Sequence, residues 1–164
     1  MYDTTAKIDY PNVRTLNTLL RGCLWCATTT KKNEFVVGGV VTAEMAWKVY
    51  KSLEIRDPRF DLSSYEYTIT LLCQALRVKD AIKRISEMKQ ALRASEDQTV
   101  IVSNGNQNSR LYEVLAMAYC ALARAYTILN EEREAIGACE TSLGYAERSK
   151  DSLKKGNSFS SKSQ

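Results

Sequence analysis

The sequence predicts an all-α protein, an α-α superhelix of about three helical hairpins. Three observations lead there. Apolar residues recur at spacings of three and four through most of the chain. One helix-turn-helix pattern is partly repeated, which is the mark of stacked supersecondary units. Two prolines and seven glycines in 164 residues leave room for long helices.

The elements follow in order. Residues 1–10, MYDTTAKIDY, are neither apolar nor arginine-rich and read as an N-terminal extension that is no targeting peptide. Val13, Leu16, Leu20 and Leu24 then mark a first helix. A polar, glycine-containing stretch separates it from TAEMAWKVYKSL, where Ala46, Val49, Tyr50 and Leu53 form the stripe of a second helix. The clearest hairpin is LSSYEYTITLLCQALRVKDAIKRISEM, residues 62–88. Leu62, Tyr65, Ile69, Leu72 and Leu76 line its first helix, and Val78, Ala81, Ile82, Ile85, Met88 and Leu92 its second, with Ala81 small enough for close helix approach. Aligning Ala46 with Ala81 and Leu53 with Met88 gives a first unit at 13–61 and a second at 62–96. The second is 35 residues long and the first 49, so the first carries an insertion near 27–40, which loops accept because closure entropy grows slowly with length.

Residues 97–108 read as a linker, polar around a short β-prone TVIV and an Asn104-Gly105 turn signal. A third hairpin is predicted over 109–150, with a turn near Asn130 and acidic Glu131, Glu132 and Glu134 at the positive end of its second helix. Residues 151–164 end in KKGNSFSSKSQ, which has no apolar stripe and predicts a disordered tail.

The segments PNVRTLNTLLRGCL, AWKVYKSL and DLSSYEYTITLLCQALRVKDAIKRISEMK resemble pentatricopeptide repeats over roughly residues 11–96, without a gap in the second unit. The third hairpin is similar to a tetratricopeptide repeat through Leu122, Ala123, Tyr126, Ala135, Cys139 and Leu143, with Ser142 standing where that family prefers alanine. The pentatricopeptide resemblance implies single-stranded RNA as partner, with one base read per repeat by two or three side chains. It implies RNA processing as a non-catalytic adaptor, inside the cell and in a mitochondrion or plastid, where most such proteins work. Residue by residue, it assigns base reading to Asn17 and Asp61 in unit one, with Arg14 stacking, a combination the family uses for uracil. In unit two it assigns Glu66 and Glu96, with Ser63 stacking, which is outside the standard pairs. Asp61 equally suits an N-cap for the helix that starts at Leu62, and the two roles are compatible.

Charge agrees with this division. Residues 1–96 hold 15 Lys and Arg against 11 Asp and Glu, while residues 97–164 hold 8 against 8, so the whole net charge of +4 lies in the part of the chain that carries the two repeats. Arg14, Arg21, Lys31, Lys32, Arg56 and Arg59 are candidate phosphate contacts, and a solvated helix surface is the competing reading for each.

Several chemistries are excluded or disfavoured. Without histidine, Ser-His-Asp and Cys-His machinery cannot be built. Gly38 and Gly39 lie in VVGGVV without the lysine of a phosphate loop. Cys23 and Cys26 form a C-x-x-C that lacks two further zinc ligands, so no metal or other cofactor is predicted. Cys73, Cys120 and Cys139 fall on apolar helix stripes and read as buried reduced thiols. The longest uncharged apolar stretch, residues 114–123, is too short for a bilayer, so no membrane association is predicted. The alternative function is a tetratricopeptide-like scaffold that holds protein partners or forms a homo-oligomer through its helical-repeat surface, for example as a structural subunit of a ribonucleoprotein complex.

Overall fold

The computed structural model of the chain describes residues 13–28, 43–48, 50–51, 61–98 and 105–160, and these are all-α, with six helices. They are α1 (Val13–Thr28), α2 (residues 43–48 and 50–51), α3 (Leu62–Gln74), α4 (Val78–Gln98), α5 (Gly105–Ile128) and α6 (Glu132–Ser160). The helices stack as successive pairs. α3 packs on α4, α5 packs on α6, and the first helices α1, α3 and α5 lie side by side in chain order. The predicted N-terminal extension, most of the insertion near 27–40 and the TVIV segment lie outside the described residues.

Hydrophobic burial holds the stack together. Ile69, Leu72, Ala81 and Met88 are 0% exposed, as their stripe positions require. α3 is buried more widely than one stripe, because Leu71, Ser64 and Thr68 are also covered. The reason is its position between α1 on one side and α4 and α5 on the others. The buried Thr68 hydroxyl donates to the carbonyl of Ser64, which satisfies a polar group that burial would otherwise penalise. Leu20 from α1 and Ala43, Ala46, Trp47 and Tyr50 from α2 join the same core.

The turns inside hairpins two and three close in the same way. Arg77 N–H donates to the Leu72 carbonyl (2.8 Å) and Leu76 N–H to Cys73 (3.1 Å). Glu131 N–H donates to Tyr126 (2.9 Å) and Asn130 N–H to Thr127 (3.2 Å). Both are Schellman closures around a left-handed residue, Leu76 at φ 57° and Asn130 at φ 59°. They place residue n of hairpin two on residue n + 54 of hairpin three, since 130 minus 76 is 54.

Polar and aromatic contacts fix the helices against one another. The Arg77 guanidinium pairs with Asp80 at 2.7 Å and reaches Glu44 on α2 at 3.4 Å, while lying over the Trp47 ring at 5.5 Å. Tyr145 stacks on Tyr119 (5.7 Å) and Tyr112 (6.3 Å), and Lys89 of α4 caps both Tyr119 and Tyr145, donating to the Tyr119 hydroxyl at 3.1 Å. Burial pushes the Lys89 ammonium downward, but its bonds to the two tyrosines outweigh this and hold its pKa above the usual value.

Two boundaries differ from the sequence reading by more than two residues. α5 begins at Gly105, inside the stretch expected to be linker, and α6 continues to Ser160, ten residues into the expected tail. In both cases a helix already nucleated and packed extends at little cost per residue. The packing is supplied by Ser109 and Ser149, both buried, whose hydroxyls lie 3.1 Å apart and reach each other's backbone carbonyls at 3.0 and 3.3 Å. Small serines let α5 and α6 touch at this point, and they anchor the end of α6 that composition alone marks as unstructured.

Of the three cysteines expected to be buried, only Cys73 is, and burial pushes its thiol up to about 12, whereas Cys120 and Cys139 lie on helix faces that nothing covers among the described residues. Native protein at neutral pH is therefore expected to keep Cys73 unmodified by iodoacetamide, while the exposed Cys120 and Cys139 react. Peptide mass spectrometry after labelling, with and without denaturant, checks this. Alkylated Cys73 in the folded sample is the contrary result.

Candidate nucleic-acid interface

The seam between α1 and α3 contains the most organised polar site among the described residues. Asp61 sits in extended backbone (φ −96°, ψ 175°) just before α3 and caps it. Its Oδ1 accepts the Ser64 N–H at 2.7 Å, and its own N–H donates to the Ser64 hydroxyl at 3.3 Å, so two orphan groups of the helix end are satisfied reciprocally. Asn17, on α1 and far away in sequence, then bridges to the cap. Its Nδ2 lies 3.1 and 3.2 Å from the two carboxylate oxygens of Asp61. The Ser64 hydroxyl is 2.9 Å from both Asn17 Oδ1 and Asp61 Oδ1, and its single proton serves one of them at a time.

This network sets the charge state. Burial pushes the Asp61 carboxyl upward, but hydrogen bonds from the Ser64 backbone and hydroxyl, Asn17 and the Ser63 backbone outweigh it and hold the pKa below 3.8. Asp61 is thus a carboxylate at neutral pH. Around it opens a cleft of about 250 Å³, lined by Arg14, Asn17, Thr18 and Arg21 from α1, by the cap Asp61, and by Ser63 and Tyr67 from α3. Arg14 and Arg21 are exposed at its rim, two turns apart on one helix face. The cleft presents an amide donor beside a carboxylate acceptor, two guanidinium groups and one phenol ring. That set suits hydrogen bonding and anion contact rather than bond making, and no group of three or more metal-ligating side chains occurs among the described residues.

The predicted site residues divide. The structure brings Arg14, Asn17, Asp61, Ser63 and Arg21 to one cleft. Lys31, Lys32, Arg56 and Arg59 lie outside the described residues. Unit two does not repeat the arrangement. Glu66 is held by Arg110 of α5 at 2.8 Å, and Glu96 lies inside α4, which runs to Gln98, instead of capping the next helix as Asp61 does. The cause is register. α5 starts at Gly105 and does not follow unit two directly, so the residue that closes unit two by alignment is not the residue before the next first helix.

Three participants were not singled out from sequence. Ser64 has the signal of a capping box, three residues after Asp61. Tyr67 stands one turn after Ser63 and brings the cleft its aromatic wall. Thr18 lines the cleft while its hydroxyl donates to the Arg14 carbonyl at 2.9 Å. No family model, curated protein or solved structure matches the chain. None of the helices, among the described residues, is long and apolar enough to cross a membrane.

Proposed function

We propose that this chain binds single-stranded RNA at the α1–α3 seam and acts as a non-catalytic adaptor in RNA processing, with one base seated against Asn17 and Asp61. The observation that supports this reading is the Asn17–Asp61 bridge in a cleft rimmed by Arg14 and Arg21. An amide N–H beside a carboxylate oxygen complements a base edge on which a carbonyl adjoins a ring N–H. Uracil has such an edge and adenine does not. Guanine has one too, on a larger ring. Tyr67 offers a face for stacking, and the two arginines offer phosphate contacts that carry affinity without sequence information. RNA metabolism in a mitochondrion or plastid is the setting that the pentatricopeptide resemblance implies.

Fluorescence anisotropy with labelled oligo-uridine, oligo-adenosine and a guanosine-rich strand tests the reading. Uridine is expected to bind more tightly than adenosine, and Asn17→Ala to abolish that preference. Arg14→Ala and Arg21→Ala are expected to weaken all strands alike and to reduce the salt slope by about one each. Equal binding of all strands, unchanged by Asn17→Ala, would discard the base-reading role.

The exposed apolar residues Met117, Ile136, Leu143 and Leu153 favour a second reading, a scaffold that docks proteins. The two readings use different surfaces and can hold together.

A further inference from the structure

The turn equivalence of 54 residues exposes an asymmetry between hairpins two and three. Residues of hairpin two that are covered have exposed counterparts in hairpin three. Buried Ile85 corresponds to exposed Cys139, and buried Cys73 to exposed Thr127. Glu66, which holds Arg110, corresponds to exposed Cys120. Lys89, which caps Tyr119, corresponds to Leu143 at 66% exposure. What covers hairpin two is hairpin three, through α3–α5 and α4–α5 packing. The face of hairpin three that continues this established interface is open.

On α6 that face carries Cys139 and Leu143, and the exposed apolar Ile136, Ala146 and Leu153 extend it into a stripe spaced by threes, fours and sevens, with Ile136 standing at the counterpart of Ile82, itself 43% exposed. It lies about a quarter-turn round the helix from Ala135, Ala138 and Ser149, which pack on α5. Where hairpin two has charged Lys89, the open face has Leu143 at 66% exposure, a large apolar side chain left to water.

Charge is segregated along the same helix. From Glu132 to Leu143, Glu132, Glu134 and Glu140 stand against Arg133, net −2, and from Gly144 to Lys155 four Lys and Arg stand against Glu147 and Asp151, net +2. A second copy of α6 laid antiparallel sets each acidic half on a basic half. It also sets Ile136 on Leu153, Cys139 on Lys150 and Leu143 on Ala146, because each pair sums to the same number about a centre between Gly144 and Tyr145. A parallel copy would oppose like halves. We propose that the open face of hairpin three is a homodimer interface, in which α6 packs antiparallel on α6 of a second copy about a two-fold axis.

Sedimentation velocity over a range of protein concentrations tests this on the full chain. The expected result is a reversible monomer–dimer equilibrium. Leu143→Asp places a carboxylate in the interface twice, once per copy, and is expected to raise the dimer dissociation constant about a hundredfold, tenfold for each copy. Ile136→Asp should act in the same direction, whereas Ile82→Asp, 43% exposed on α4, should leave the equilibrium unchanged. Circular dichroism melts verify that each variant folds. At low salt, Glu140→Lys is expected to weaken the dimer a few-fold, and Glu140→Lys with Lys150→Glu to restore it. A wild-type chain that stays monomeric at about 100 μM, well above the dissociation constants of typical weak dimers, overturns the proposal. So does a dimer that survives both Leu143→Asp and Ile136→Asp, or a double charge reversal that restores nothing.

Discussion

Leu72→Ala is expected to lower the melting temperature by about 4–20 °C, from a cost of about 2–5 kcal/mol for deleting a buried leucine and about 2–4 °C per kcal/mol in a chain of this size. Leu72 is 0% exposed and sits where α3, α4 and α2 meet, beside Trp47. The loss has two parts, the transfer free energy of the removed methyl groups and the cavity left behind. Relaxation into that cavity is opposed because the Arg77 contacts to Trp47, Glu44 and Asp80 and the turn bond to the Leu72 carbonyl fix the surrounding backbone. Leu129→Ala, at a site 40% exposed, is expected to stay within about 0.5 kcal/mol of wild type. Thermal and urea unfolding followed by circular dichroism give both numbers. Equal melting temperatures for Leu72→Ala and wild type would contradict the core described above.

Asp61→Ala is expected to cost about 1–2 kcal/mol, the range for loss of a side-chain cap. The carboxylate does more than cap, since Asn17 and the Ser64 hydroxyl lose a partner with it. Asp61→Asn keeps a capping oxygen and is expected to cost less at neutral pH. The two can be separated by acid. The folded-state pKa of Asp61 is depressed, so its contribution is fully present above the ordinary value of 3.8 and is lost as pH falls through the lower folded value. The stability gap between wild type and Asp61→Asn should therefore hold from neutral pH down to about that value and close below it. A gap that is constant into strong acid would show that the charge of Asp61 contributes nothing.

Periodicity was enough for the helices and the core because apolar stripes record which face is covered. Ile69, Leu72, Ala81, Ile85 and Met88 are buried as their spacing requires, whereas Ile82 of the same stripe is 43% exposed. It could not foresee that polar Ser64 and Thr68 are buried too, because α3 also packs on α1, where Ser64 meets Asn17, a contact between residues far apart in sequence. Nor could composition show that Ser149 anchors α6, since a serine stripe is apolar in effect only when another serine faces it. At the candidate site, the pairing of Asn17 with Asp61 came from the alignment to the pentatricopeptide pattern, a resemblance that sets those two positions of a unit side by side. The failure at Glu96 came from the same alignment, carried past the end of a helix whose length it does not control. Nothing in the spacing of Tyr67 separates an aromatic wall of a cleft from a core residue.

The bridge from Asn17 to Asp61 joins one hairpin to the next. A nucleotide seated there would touch both, so it could not stay bound if the first pair of helices frayed away from the second. Occupancy and stacking are then two sides of one equilibrium, and RNA would work as a clasp on the front end of the array, lending it rigidity in proportion to how tightly it is held.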